Sequence, residues 1–274
     1  MERLDFNMRK QNDTIEHSFG NFTIYNKARN LSKHTVFHYE RCYRMFDRFY
    51  DTKLSCNTIS QQVIENFVLF LREYNPNMCD ITVNTYLRGI RAIIYYFIKQ
   101  GLTPKLEIKL AKADKPIKEV YTDDELKILL QKPTIKKCAF SEYRNWVIIN
   151  YVMGTGNRLS SITNIKIEDI DFDDATIKIL KTKNRKQQII PLTNTLVGIL
   201  VEYLSHRGGS KSDYLFCNLY GHKITEFSLQ KSIFAYNRKR GVFKTSMHLF
   251  RHTFAKKWIM NGRRYVQIAK NPRA

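Results

Sequence analysis

The chain has 274 residues, 43% of them hydrophobic, and 46 Lys and Arg against 25 Asp and Glu give it a formal net charge of +21. No run approaches the roughly 18 consecutive apolar residues of a membrane span. The charged start Met1-Glu2-Arg3-Leu4-Asp5 lacks a signal peptide's apolar segment, and the five scattered cysteines (Cys42, Cys56, Cys79, Cys138, Cys217) form no C-x-x-C pair that would suggest zinc or a disulfide framework.

The expectation is therefore a folded, cytoplasmic protein that makes no use of a membrane, a metal or another cofactor. Residues 1–112 hold 17 basic against 11 acidic side chains, and the remainder holds 29 against 14, so the halves carry +6 and +15. An excess of this size, spread over both halves, is the footprint of a polyanion partner, and nucleic acid is the favoured one.

In chain order, the first half reads as four helices. Asp13-Thr14-Ile15-Glu16 has the form of a helix start, with Ile15, Phe19 and Phe22 at helical spacing. Ser32 opens a second helix with Tyr39, Tyr43, Phe46 and Phe49 or Tyr50 on one side. A third begins near Thr58 and turns Val63, Phe67, Phe70 and Leu71 inward. The fourth runs from Thr82 to Gln100 and stops at Gly101, ahead of Pro104. It carries Thr85, Arg88 and Arg91 apart from its apolar stripe; spacing alone does not separate a DNA-facing surface from a solvated one.

Residues 111–118, Ala-Lys-Ala-Asp-Lys-Pro-Ile-Lys, have linker composition and divide the chain into domains 1–110 and 119–274. Thr122 to Glu125 spell a T-x-x-E capping box ahead of Leu126, Leu129 and Leu130. An apolar helix from about Ser141 to Met153 ends in the turn Gly154-Thr155-Gly156. Thr176 to Leu180 and Gln188 to Leu192 read as strands around a polar turn, and further helices follow to residue 260. The fold class expected is mainly α with one small antiparallel β-sheet.

Several cations stand where the backbone could present them together. Arg158 follows the glycine turn at a helix start, Lys183 is at a hairpin tip, and His248 and Arg251, three apart, share a helix face. Singly, each is as well explained by solvation or by a structural role.

Together they resemble the tyrosine recombinase (phage integrase) family. T-G-N-R-L-S-S at 155–161 is similar to that family's T-G-x-R-x-S-E. Lys183, within T-K-N-R-K-Q-Q-I-I-P-L, resembles its β-hairpin lysine. His248-Leu249-Phe250-Arg251-His252-Thr253-Phe254-Ala255 is similar to H-x-L-R-H-T-F-A, and Asp213-Tyr214-Leu215-Phe216-Cys217 also has the family's look. The resemblance covers about residues 10 to 262. It implies a four-helix, SAM-like core-binding domain followed by a tyrosine-recombinase catalytic domain.

It further implies site-specific DNA recombination or integration by phosphotyrosyl strand transfer, on behalf of a bacterial mobile element. In that chemistry a tyrosine attacks the DNA phosphate and leaves a 3′-phosphotyrosyl link and a free 5′-hydroxyl. Charge builds on the non-bridging oxygens, where preorganised cations are the main catalytic resource. By resemblance Arg158 and Arg251 grip those oxygens as planar forks. Lys183 is the general acid, His248 supports the transition state, and His252 is structural. The implied partners are double-stranded DNA and further protomers in a tetrameric synapse.

Two departures from the pattern stand out. The family's glutamate after R-x-S is Ser161 here. The L-G-H segment and nucleophilic tyrosine expected beyond the last helix are not found, and Tyr265, only 14 residues after Arg251, comes too early for that role. Codons compatible with Arg263 to Ala274 can be read one nucleotide later as G-D-M-F-K-L-Q-K-I-L-G-H. The expectation is a catalytic domain truncated near residue 262, by a frameshift or, as the rival, by an ordinary truncation, with a catalytically inactive, DNA-binding remnant or inhibitor as the alternative to a working recombinase.

Overall fold

A computed structural model describes residues 13–114, 119–180 and 186–260. The chain divides into two compact units, Met1–Pro116 and Ile117–Ala274. Lys183, Tyr265, the residues beyond 260 and part of the 111–118 linker lie outside the described residues.

The first unit is a bundle of four helices, α1 (Ile15–Ala28), α2 (Lys33–Asp47), α3 (Gln61–Tyr74) and α4 (Asp80–Lys99). Three of them start on hydroxyl caps. Thr14, Ser32 and Ser60 hold extended backbone angles and accept from the amides of His17, Thr35 and Val63, which satisfies amides that the first turn leaves without partners. The third helix begins three residues later than its sequence suggests, because Cys56–Thr58 forms a separate 3-10 turn. On α3 the fully buried positions are Ile64, Phe67 and Leu71, while Val63 and Phe70 lie at the core's edge. The long α4 fills the centre, burying Val83, Leu87, Ile90, Ile93, Ile94 and Phe97, and Gly101 (φ 73°) turns the chain away from its end.

Two packing details fix α4. A Cβ at Gly89 would lie 2.7 Å from Cys42 Cβ on α2 and closer still to its Sγ, so the two helices cross with only a hydrogen atom between them. Next to that crossing, the buried Asn84 amide pairs with the backbone of Ala111, donating to its carbonyl (2.8 Å) and accepting from its N–H (2.9 Å).

The second unit is built around α6 (Phe140–Thr155), which buries Tyr143 to Ile149 continuously and then Tyr151 and Val152. Packed on it are α5 (Asp123–Leu130), α8 (Asn194–Arg207), α9 (Glu226–Lys239) and α10 (Met247–Met260), with the short α7 (Leu159–Ile162) following its C-terminus. The Thr122–Glu125 capping box is fully formed. The sheet has three antiparallel strands in the order β1 (Ile170–Asp171), β2 (Thr176–Ile179), β3 (Gln188–Pro191). Its register sets Ile170 opposite Ile177, and Ile177 opposite Ile190. The two-residue β1 is too short to leave an alternating pattern in sequence.

Candidate active site and nucleic-acid interface

The turn after α6 differs from its sequence reading. Gly154 is inside the helix and Gly156 alone makes the turn, in the left-handed region (φ 64°, ψ 19°) with its N–H bonded to the Val152 carbonyl. A side chain is excluded there twice: left-handed backbone disfavours one, and a Cβ would lie 2.5 Å from Cε1 of Phe254 and closer still to Cδ1. Asn157 is buried beneath the turn, donating to the fully buried Tyr151 hydroxyl at 2.6 Å.

Arg158 comes next. It is the N-cap of α7 with extended backbone, its carbonyl accepts from Ser161 and Ile162, and its half-buried side chain takes no part in capping. The seat of α7 comes from behind. Ser161, Ile162 and Thr163 are buried, and the following residues pair with the segment picked out at 213–217, Ile167 N–H donating to Asp213 and Leu215 N–H to Ile165.

His248 and Arg251 lie one turn apart on α10, His248 exposed and Arg251 half-buried. The Arg251 guanidinium donates through Nη1 to the Gly156 carbonyl. Gly156 precedes Arg158 by two residues, so their Cα atoms are no more than about 7 Å apart. The structure thus brings the Arg251 head group, the Arg158 backbone and, through the shared helix, His248 to one turn. Lys183 is not among the described residues; the strands that bracket it are, with Ile179 opposite Gln188.

What holds α10 against this turn was not legible in the sequence. Phe250 stacks on Tyr121 at 4.2 Å between ring centroids, and the Thr253 hydroxyl accepts from the Tyr121 N–H at 3.0 Å while donating to the Leu249 carbonyl. Burial pushes the Tyr121 phenol far above its ordinary pKa. A second residue missed was Arg144 of α6, buried and bonded to the Cys217 carbonyl and the Ser232 hydroxyl, its pKa lowered by desolvation. It ties α6 to α9 and carries no phosphate-facing group. Among the described residues no cluster of three or more His, Cys, Asp or Glu is placed to hold a metal ion, and no helix is long and apolar enough to cross a membrane.

On α4, Thr85, Arg88 and Arg91 follow one another at three-residue steps. Arg88 is exposed and the other two half-buried, with the Thr85 hydroxyl donating to the Ile81 carbonyl. The structure adds a basic face that the sequence reading passed over. Arg41, Arg44 and Arg48 stand along the exposed side of α2, each over an aromatic ring: Tyr86 of α4 at 5.4 Å, Phe37 at 5.8 Å and Tyr74 at 5.7 Å. Among the described residues none of the three is ion-paired to a carboxylate. The spacing 41, 44, 48 was the available signal, but a face of three arginines reads equally as solvation.

Comparison with known proteins supplies the frame for this geometry. Residues 119–270 match the phage integrase family and residues 18–113 match the phage integrase SAM-like domain. The chain is 25% identical over 247 residues to tyrosine recombinase XerD of Oceanobacillus iheyensis, an alignment covering 85% of this chain and 81% of that protein. To tyrosine recombinase XerC of Staphylococcus carnosus it is 27% identical over 242 residues, covering 85% and 80%.

Among solved structures, the Tn1549 transposon integrase in complex with a circular intermediate DNA superposes with a TM-score of 0.73 at 17% identity, over 92% of this chain and 88% of that one. A lambda integrase dimer bound to a core site gives 0.72 at 13%, over 90% and 87%. These structural likenesses establish the fold. With the phage integrase family matched over residues 119–270, more than half of the chain, the chain belongs to the phage integrase family of tyrosine recombinases.

Proposed function

We propose that this chain grips one backbone phosphate of double-stranded DNA for the family's phosphotyrosyl strand transfer. Arg158 and Arg251 would be the planar forks on the non-bridging oxygens, His248 the supporting donor and Lys183 the general acid. The observation that carries the reading is the Arg251 guanidinium bonded to the Gly156 carbonyl, which sets the second arginine beside the turn that bears the first. Fixed donors at that place act because they need no reorganisation when charge develops on the phosphate.

The surface arginines support DNA as the partner: the exposed Arg88 and half-buried Arg91 on α4, joined by the exposed Arg41 and Arg44 on α2 and Arg48 at its C-cap, with the +21 net charge behind them. So do the structural neighbours, which were solved on DNA. We keep 111–118 as the tether between the two domains, a cytoplasmic location, a mobile element as the setting and a tetramer on two DNA sites as the working assembly. The nucleophile is assigned to no residue from 1 to 274.

The test is to recover preferred sites from a pool of random duplexes and nick one strand near the centre of the selected sequence. The product is then run on a denaturing gel. A covalent protein–DNA adduct that disappears in R251A supports strand transfer. Site-specific binding without adduct favours the binding-only remnant. No selection of sites at all, with binding indifferent to Arg158 and Arg251, overturns the phosphate grip.

A further inference from the structure

Resting on that reading, we infer that Tyr121 and Thr253 are positioning residues for the phosphate grip, setting the rotation of α10 and hence where Arg251 and His248 point. Residues of an α-helix advance about 100° each, so Thr253 lies about 200° round α10 from Arg251. Arg251 and Phe254 meet the Gly156 turn, while Phe250 and Thr253 meet Tyr121 on another side. A helix held from two directions cannot roll, and it is roll that would carry a long arginine side chain away from a fixed anion.

The Tyr121 side is built to be stiff. Thr253 is 1% exposed, and its hydroxyl is used as both acceptor and donor, taking the Tyr121 N–H and giving to Leu249 O at 2.8 Å. The Tyr121 phenol donates to the Lys244 carbonyl at 2.8 Å, just ahead of α10, and accepts from the Asn237 amide at 3.0 Å. That same amide also donates to Lys244 O at 2.8 Å. Lys244 closes the ring, its ammonium reaching the Val120 carbonyl at 3.2 Å and the Glu125 carboxylate at 3.1 Å. Thus the residues that open the second unit, 120 to 125, are stitched both to the loop before α10 and to α10 itself. The hydrogen bonds described for these groups run to one another, to the loop before α10 and to α10 itself, so the effect argued for them on the grip passes through α10.

The experiment uses the full chain and the selected duplex, with a single neutral methylphosphonate placed in turn at each backbone position. The gripped phosphate is the position where the wild type loses affinity, by about tenfold or more for one charge-assisted contact, and where R251A loses clearly less. Thr253→Val keeps the shape and removes both hydrogen bonds. It is expected to lose most of the methylphosphonate penalty while retaining affinity for unselected duplex, and Thr253→Ser is expected to restore the penalty. Tyr121→Phe keeps the ring stack, removes the phenol's bonds, and decides the matter if Thr253→Val does not fold. Full penalties in folded Thr253→Val and Tyr121→Phe overturn the positioning role and leave the grip standing. A penalty undiminished in R251A at every position overturns the Arg251 grip itself, and the positioning role with it.

Discussion

Replacing Gly156 by alanine tests the turn on which the site is built. Two costs can be worked from the structure. Forcing an L-residue into the left-handed region costs about 1–2 kcal/mol, and Gly156 has φ 64°. Its new Cβ would press into the Phe254 ring at 2.5 Å from Cε1, and overpacking of that kind costs about 1–3 kcal/mol. The sum, about 2–5 kcal/mol, is a large share of the 5–15 kcal/mol that holds a typical domain together.

The chain offers a selective probe, because both of its tryptophans, Trp146 and Trp258, belong to the second unit, and Trp146 is buried in its core. Urea unfolding followed by tryptophan fluorescence therefore reads that unit. Gly156→Ala should lower the midpoint without changing the slope. Adding Phe254→Leu should return the packing part and leave about 1–2 kcal/mol for the backbone. A Gly156→Ala protein within about 0.5 kcal/mol of the wild type, inside the ordinary range for surface substitutions, would refute the geometry of the turn and with it the link between Arg251 and Arg158.

Two further predictions concern charge. Duplex binding should weaken steeply between 50 and 200 mM salt, and Arg88→Ala or Arg91→Ala should each reduce the slope of log affinity against log salt by about one; a flat salt response would count against the electrostatic footing of both helices. Glu142 bonds Lys239 at 2.9 Å and Arg240 at 2.6 Å, and these partners hold its carboxyl below the usual range. Its contribution is then fully present above the unfolded-state value of about 4.3 and is lost as pH falls through the lower folded-state value. Glu142→Gln should therefore cost about 1 kcal/mol at pH 7 and nothing once the pH is below the folded-state value. A difference that persists in acid would assign the effect to packing.

Local signals in the sequence carried the fold a long way. Caps such as Ser32 and the Thr122–Glu125 box are legible because one hydroxyl and a three-residue spacing determine them. The glycine at 101 is legible because a helix end asks for it. What failed did so for physical reasons. Gly154 looked like part of a turn, but a glycine is tolerated inside a helix held by core packing, and only Gly156 has a backbone that requires it. Ile64 and Val63 are adjacent branched residues, and no periodicity decides which of them faces the core.

Of the site, the residue types and their order could be read, and the partners could not. The bond from Arg251 to a carbonyl 95 residues away in sequence, and the Tyr121 contacts that span more than 120, are tertiary facts that leave no mark on local pattern. The arginines of α2 were missed for the opposite reason: the pattern was visible, but its meaning depended on the aromatic rings beneath them.

The crossing of α2 and α4 at Gly89 has a consequence for how a basic surface is kept in shape. Arg41 leans on Tyr86 one turn from Gly89, and Arg88 is its immediate neighbour in the chain, so the spacing between the two arginine rows is set at a point that never meets solvent. A methyl group added there would wedge the rows apart like a shim under one rail. Every exposed charge would remain, and the gauge that the proposed DNA partner would have to fit would be lost.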